Sequence, residues 1–343
     1  GFEHCPFPDV PPEVMGAVFG RLPGLPQHEA EAIVIGEVFG RLDAQAALPA
    51  LLDLVADRRP DVVLREPAEL GSIAAAQACG VPHAAVAIGV SRGAEVMGPP
   101  LRGPSTELDA LAGLAEGTTW EAMATEPTLT CVPPRLDEAL GPLPADRRAP
   151  HRFRTDDPTG PGRLPDPWGD PDHPLVYVSF GSVAAATGRY GDLYPAVVAA
   201  LADRDVRVLL TTGEGLDPAD LGPLPANTRV ERWWPQHEVM PHAAVVVGHG
   251  GFGTTMTALV AGVPQVVVPL FAFDQHMNAE HVARVGAGLA LAADAVGDLP
   301  GAVAALVADA SYRHAAQVVA DEVAALPPVA RAVEVLEQMA AGA

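Results

Sequence analysis

The chain contains no lysine. All 21 basic residues are arginine, and against 43 aspartates and glutamates they leave a formal net charge of −22 over 343 residues. That balance excludes a nucleic-acid backbone or an anionic membrane surface as partner, since both would be repelled. It also requires that any phosphate-bearing ligand be held by local groups against an unfavourable overall field. Cysteine is nearly absent. Cys5, Cys79 and Cys131 lie far apart without metal-ligand spacing and read as free thiols in a reducing compartment. No apolar run is long enough to span a bilayer, and the first residues do not read as a secretion signal, so a cytoplasmic protein is expected. Aromatic residues make up only 5% of the chain, which makes an adjacent pair such as Trp233-Trp234 conspicuous.

Apolar residues are plentiful at 49%, and 343 residues suffice for two domains of ordinary size. The most informative stretch runs from Arg232 to Gly288. Ala243 to Val247 is an uninterrupted apolar run, the pattern of a parallel strand buried on both faces. Gly248-His249-Gly250-Gly251-Phe252-Gly253-Thr254-Thr255 follows, and then a helical pattern from Met256. Strand, glycine turn and helix start together form an anion site: glycines let the main chain approach a phosphate, and the N–H groups and dipole of the helix N-terminus face it. His249 and Thr254 can add side-chain donors. A second strand, Gln265 to Val268, ends at Pro269 and leads to Asp274-Gln275, a carboxylate beside an amide, suited to sugar hydroxyls. The turn is not a Walker A loop, because Thr254 stands where the lysine belongs. Nor is it the dinucleotide fingerprint, which requires an acidic residue ending the next strand about 20 positions on; here that strand ends at Pro269.

The order Trp233-x-Pro235-Gln236, His249-x-Gly251, Gly262-Val263-Pro264 and Asp274-Gln275-x-x-Asn278-Ala279 resembles the donor-binding signature of family 1 glycosyltransferases of the GT-B fold. The closer likeness is to the actinomycete enzymes that decorate antibiotics and other natural products. The resemblance implies an α/β protein of two Rossmann-like parallel-sheet domains facing a cleft. It also implies a metal-independent, inverting transfer of a sugar from a nucleotide diphosphate to an acceptor hydroxyl. It assigns base stacking to Trp233 with Trp234 beside it. Ser182, His249, Thr254 and the N–H groups of Gly250, Gly251 and Gly253 would take the diphosphate, and Asp274 and Gln275 the sugar. No cofactor is implied beyond the nucleotide-sugar co-substrate, and no metal: His276 and His281 are five apart on a helix and splay.

Earlier in the chain, residues before Gln27 are proline-rich and irregular, and Gln27 to Arg58 reads as helix stopped by Pro60. Strands are expected at 61–64, 83–88 and 128–132, with helices at 69–79 and around 107–123. The expected organisation is an acceptor domain over 1–150, a linker over 151–173 rich in Pro, Gly and Asp, a donor domain over 174–326, and a helix over 327–343 returning to the first domain. Three strands are few for a doubly wound domain, so its first strand–loop–helix unit is expected to be missing, and with it the histidine base the resemblance places there. His4 does not match that loop. Glu66 ends the first strand, where the resemblance places the carboxylate that orients such a base.

Where plant members of the resembled family carry a ribose-binding glutamate, this chain has Thr257. A threonine suits a ring lacking one hydroxyl, which favours a dTDP-linked deoxysugar over a UDP-sugar, with a hydrophobic natural product as acceptor. Two further readings stay open: a non-catalytic sugar-nucleotide-binding partner protein, and a GT-B sugar-nucleotide epimerase, which needs more carboxylates than Glu66. A homodimer is also left open.

Overall fold

The computed structural model describes residues 3–143, 148–155, 160–187 and 190–342. The chain divides into two compact units, one of 1–131, 143–153 and 327–343, the other of 132–142 and 154–326.

In the first unit, strands β1 (Val63–Arg65), β2 (His83–Val86), β3 (Thr128–Thr130) and β4 (His151–Arg152) pair in parallel in that order. β4 lies where composition predicts linker. It is two residues long with no apolar run, and it exists only because Leu129 and Thr130 of β3 pair with it. Residues 132–142, expected in the first domain, belong to the second unit. Part of the expected linker, 156–159, lies outside the described residues.

Residues 27–58 are helical throughout, with π geometry over Val34–Asp43, and end at Arg59 with φ 45° before Pro60. The π segment puts Gly36 and Gly40 against the helix Gly93–Ala112; a Cβ on Gly40 would lie 2.8 Å from Leu101 Cδ2. That second helix contains Pro99, Pro100 and Pro104, so a sequence reading starts it too late, near 107. Burial of Leu101, Pro104 and Leu108 offsets the lost backbone bonds. A short helix, Pro12–Phe19, also forms where irregular chain is expected. The last helix, Ala332–Ala341, sets Ala332 against Leu129 and Phe153, with Val335 and Leu336 alongside.

The second unit holds a six-stranded, all-parallel sheet. Its strands are β5 (Leu175–Ser179), β6 (Arg207–Thr211), β7 (Thr228–Glu231), β8 (Ala243–Gly248), β9 (Gln265–Val267) and β10 (Gly288–Ala290), in the order β10-β9-β8-β5-β6-β7. Successive side chains of a strand serve opposite faces. Val176, Val178, Val208, Leu210, Val245, Val247 and Val266 enter one core, whereas Leu175, Tyr177, Leu209 and Val246 enter the other. Both faces are therefore covered, which is why the strands read as continuous apolar runs.

Candidate functional site

The strand order of the second sheet fixes where a ligand can enter. From β5 the chain moves outward through β6 and β7; from β8 it moves the other way through β9 and β10. The loops leaving β5 and β8 thus diverge from neighbouring strands, paired Ser179 to Gly248, at the carboxyl edge, the switch point where open parallel sheets take their ligands. Gly181 and Ser182 follow β5, Trp233 follows β7, His249 follows β8, and Asp274 comes on the connection after β9. One sheet edge carries all of them.

Three glycines make room at the centre. Gly250 has φ +85°, and a Cβ there would lie 2.6 Å from the Gln275 carbonyl oxygen. A Cβ on Gly251 would lie 2.4 Å from His249 Nε2, and one on Gly181 (φ +77°) 2.8 Å from His249 Cε1. The imidazole is thus held between two residues without side chains. Burial pushes its pKa down to about 4, with the Ser179 carbonyl acting in the opposite sense. His249 is therefore neutral near pH 7, with Nδ1 buried and without a hydrogen-bond partner among the described residues. A neutral imidazole still donates one N–H.

The helix Phe252–Val260 begins beside it. Its N-cap is Gly251, which supplies no side-chain acceptor, and no acidic residue occupies the first turn. The first helical bond is Thr255 N–H to Gly251 O, which leaves the N–H groups of Phe252, Gly253 and Thr254 without an acceptor among the described residues. Thr254 accepts from Gln236 Nε2 at 2.9 Å, so its hydroxyl hydrogen remains for another acceptor. Thr257, half-buried one turn later, spends its hydrogen on the Gly253 carbonyl at 2.8 Å and offers only lone pairs and a methyl group.

Asp274 and Gln275 start the helix Phe273–Arg284. Burial pushes the Asp274 carboxyl up, against its own N–H, that of Gln275, and His276. Gln275 departs from expectation. Its Oε1 accepts from Leu270 N (2.8 Å) and Phe271 N (3.1 Å), so this oxygen fixes a loop and only the amide NH2 is left for a ligand. Asn278 Nδ2 donates to Gly250 O at 2.7 Å and ties this helix to the glycine turn.

The two tryptophans separate. Trp233 is 70% exposed. Trp234 packs against a core cluster, and its Nε1 donates to Arg163 O at 2.9 Å. Trp234, expected at the ligand, spends its N–H on this backbone contact. Ser182 is exposed next to Gly181, and the loop after β6 closes on it: a Cβ on Gly213 would meet Gly181 O at 2.7 Å.

Residues 195–339 match the family model of the erythromycin biosynthesis protein CIII-like C-terminal domain. The L-demethylnoviosyl transferase of Streptomyces niveus is 33% identical over 290 residues, which cover 82% of this chain and 72% of that protein. The chain belongs to the EryCIII-like glycosyltransferase family. TDP-daunosamine transferase DnrS of Streptomyces peucetius is 30% identical over 336 residues, covering 88% of this chain and 73% of that protein. The elloramycin glycosyltransferase ElmGT of Streptomyces olivaceus is 42% identical, but over 46% of this chain and only 40% of its own length. Together with the 48% covered in 4'-demethylrebeccamycin synthase of Lentzea aerocolonigenes, this means the matches span less than half of those two relatives. Among solved structures, the glycosyltransferase SnogD of Streptomyces nogalater aligns with a TM-score of 0.72 at 30% identity, over 93% of this chain and 84% of that one. VinC, solved in complex with dTDP, aligns with a TM-score of 0.71 at 26% identity, over 99% and 88%. The architecture is that of the GT-B glycosyltransferases.

In this EryCIII-like chain Glu66 lies in the first unit, directly after β1. Its Oε2 accepts from Ala68 N at 3.0 Å. Burial pushes its carboxyl up, opposed by that N–H and by Arg65. Arg65 shapes the same loop by donating to the carbonyls of Glu66, Pro67 and Glu69 at 2.8, 2.9 and 3.0 Å. It also pairs with buried Glu126, which His83 Nδ1 meets at 2.8 Å. That cluster escapes a sequence reading because Arg65 and Glu126 stand 61 positions apart with no pattern between them. Gln236 and Asn278 are legible as motif letters, but their partners, Thr254 and Gly250, are not. Among the described residues no group of three or more His, Cys, Asp or Glu is placed to hold a metal ion, and no helix is long and apolar enough to cross a membrane.

Proposed function

We propose that the protein is an inverting, metal-independent glycosyltransferase that moves a deoxysugar from a dTDP-linked donor to an apolar natural-product acceptor. The observation that carries this reading is the β5/β8 switch point, where a glycine-flanked imidazole lies beside a helix N-terminus with no side-chain cap. Departure of a nucleoside diphosphate leaves negative charge on its terminal phosphate. The His249 N–H, the Thr254 hydroxyl, Ser182 and the free amides of 252–254 are donors fixed in advance to receive it. Trp233 offers a face for the base, and Asp274 with the Gln275 amide meets the sugar hydroxyls. Glu66, directly after β1 of the first unit, is the carboxylate proposed to orient a general base for the acceptor proton. The names of DnrS, a TDP-daunosamine transferase, and of VinC, solved with dTDP, support the thymidine donor.

Thr257 makes the donor choice testable. With its hydrogen committed to Gly253, it accepts from one ribose hydroxyl and sets its methyl where a second would be. A thermal-shift series with dTDP, dUDP, UDP and GDP, on the unmodified chain and on Thr257→Glu, separates sugar from base. The 2′-deoxy nucleotides should bind better than UDP by about 0.5–1.5 kcal/mol, the net value of a hydrogen bond, and Thr257→Glu should erase that gap. Equal shifts for dUDP and UDP, unmoved by the substitution, contradict the ribose assignment; no shift with any nucleotide contradicts the function.

A further inference from the structure

Trp233, the proposed base platform, has no ring or cation partner of its own among the described residues. What fixes it is its neighbour. Pro235 biases Trp234 towards extended geometry. Trp234 packs on the core cluster while Trp233 beside it is 70% exposed, so anchoring Trp234 constrains how the turn presents Trp233. The group that holds Trp234 comes from the connection between β4 and β5. Arg163 O accepts from Trp234 Nε1 at 2.9 Å, and the Arg163 guanidinium lies 5.8 Å from the centre of the same ring. Arg163 N donates to Glu238 O at 3.0 Å, and its Nε lies 3.4 Å from Glu238 Oε2, on the short helix Gln236–Val239 that follows the tryptophans. Gly162 has φ +70°, and a Cβ on it would lie 2.2 Å from Glu238 O, so no larger residue permits this approach.

The far end of the segment is fastened as well. Trp168 Nε1 donates to Asn227 O at 3.2 Å, just before β7, and Arg207 covers its ring at 5.4 Å. Leu164 and Trp168 pack on the same core cluster as Trp234. Residues 162–168 therefore run from the start of the edge strand β7 to the turn beyond its end. They hold that turn through Trp234 and Glu238.

We infer that residues 162–168 are a positioning strap for the nucleobase platform: the backbone of Gly162 and Arg163 sets the presentation of Trp233, and with it nucleotide affinity, without touching the nucleotide. This rests on the proposed role of Trp233. The test is calorimetric titration of dTDP into the full chain and into Gly162→Ala, Trp234→Phe, Trp233→Ala and the control Gly160→Ala, whose Cβ would meet nothing within 4 Å. Gly162→Ala and Trp234→Phe should each raise Kd about fivefold to tenfold, part of what removing the stacking ring gives, and Gly160→Ala should not. In turnover the donor KM should rise with kcat unchanged. The dTDP-induced change in tryptophan fluorescence should shrink in the strap variants while their circular dichroism stays native. If Gly162→Ala does not fold, Trp234→Phe decides, since it keeps an aromatic side chain on the core cluster while removing the indole N–H donor to Arg163 O and part of the ring under its guanidinium. Loss of affinity in Trp233→Ala with unchanged affinity in Trp234→Phe and in any folded Gly162→Ala overturns the strap alone. Unchanged affinity in Trp233→Ala, or no binding by the parent chain, overturns the base platform and the strap with it.

Discussion

His249 sits between Gly181 and Gly251 at van der Waals limits, and that enclosure sets its chemistry. Its pKa falls from the ordinary 6.5 to about 4 because burial disfavours the imidazolium. Above about pH 6.5 the side chain is neutral in folded and unfolded chains alike, and no proton is linked to folding. Between about pH 6.5 and about pH 4 the unfolded chain takes up a proton that the folded chain refuses, so stability falls as pH falls across that window. The loss is of order 2–3 kcal/mol once the partial exposure of the ring is allowed for. Urea unfolding across that range should show a steeper decline for the unmodified chain than for His249→Gln; parallel declines contradict the enclosure. The position of His249 after a strand and between glycines is legible in the sequence, but its neutrality is not, because the burial comes from a loop 68 positions earlier. Trp234 and Gln275 show the same limit. Each is expected at the ligand, and each has polar contacts that no motif announces, Arg163 O for the indole and Leu270 N with Phe271 N for the amide oxygen.

Elements that bury both faces announce themselves. β5 and β8 are almost wholly apolar, and the glycine turn with its helix follows β8 directly, so this strand–turn–helix unit was readable in outline. β4 was not, since two residues with no apolar pattern become a strand only through β3. The helix Gly93–Ala112 was half hidden by its three prolines, tolerated because Gly36 and Gly40 let the facing helix approach. At the glycine turn, Gly251 has φ −60°, so alanine meets no backbone strain there, only the imidazole 2.4 Å away. Gly251→Ala should therefore act through His249. Its effect on dTDP affinity should be about that of His249→Ala, roughly tenfold, and the double variant should be little worse than either. Fully additive losses in calorimetry contradict that coupling.

The molecule as a whole carries −22 charges, and its proposed ligand is an anion. Arg232, the cation nearest Trp233 in sequence, is paired with Asp217 at 3.1 Å. Among the described residues, the donors this reading gives the diphosphate are all neutral, N–H groups, hydroxyls and an imidazole, inside a repelling field. Salt screens that field more than it weakens short hydrogen bonds, so dTDP affinity should hold or rise between about 20 and about 300 mM salt. A steep fall, as for a site built on cationic contacts, contradicts the arrangement. The most direct measurement is calorimetric titration of dTDP into the full chain and into Trp233→Ala. The account predicts binding by the unmodified chain and a loss of about 1–3 kcal/mol in the variant, the worth of one base stacked on an aromatic ring. No binding by the unmodified chain, or equal binding by a natively folded variant, would contradict it.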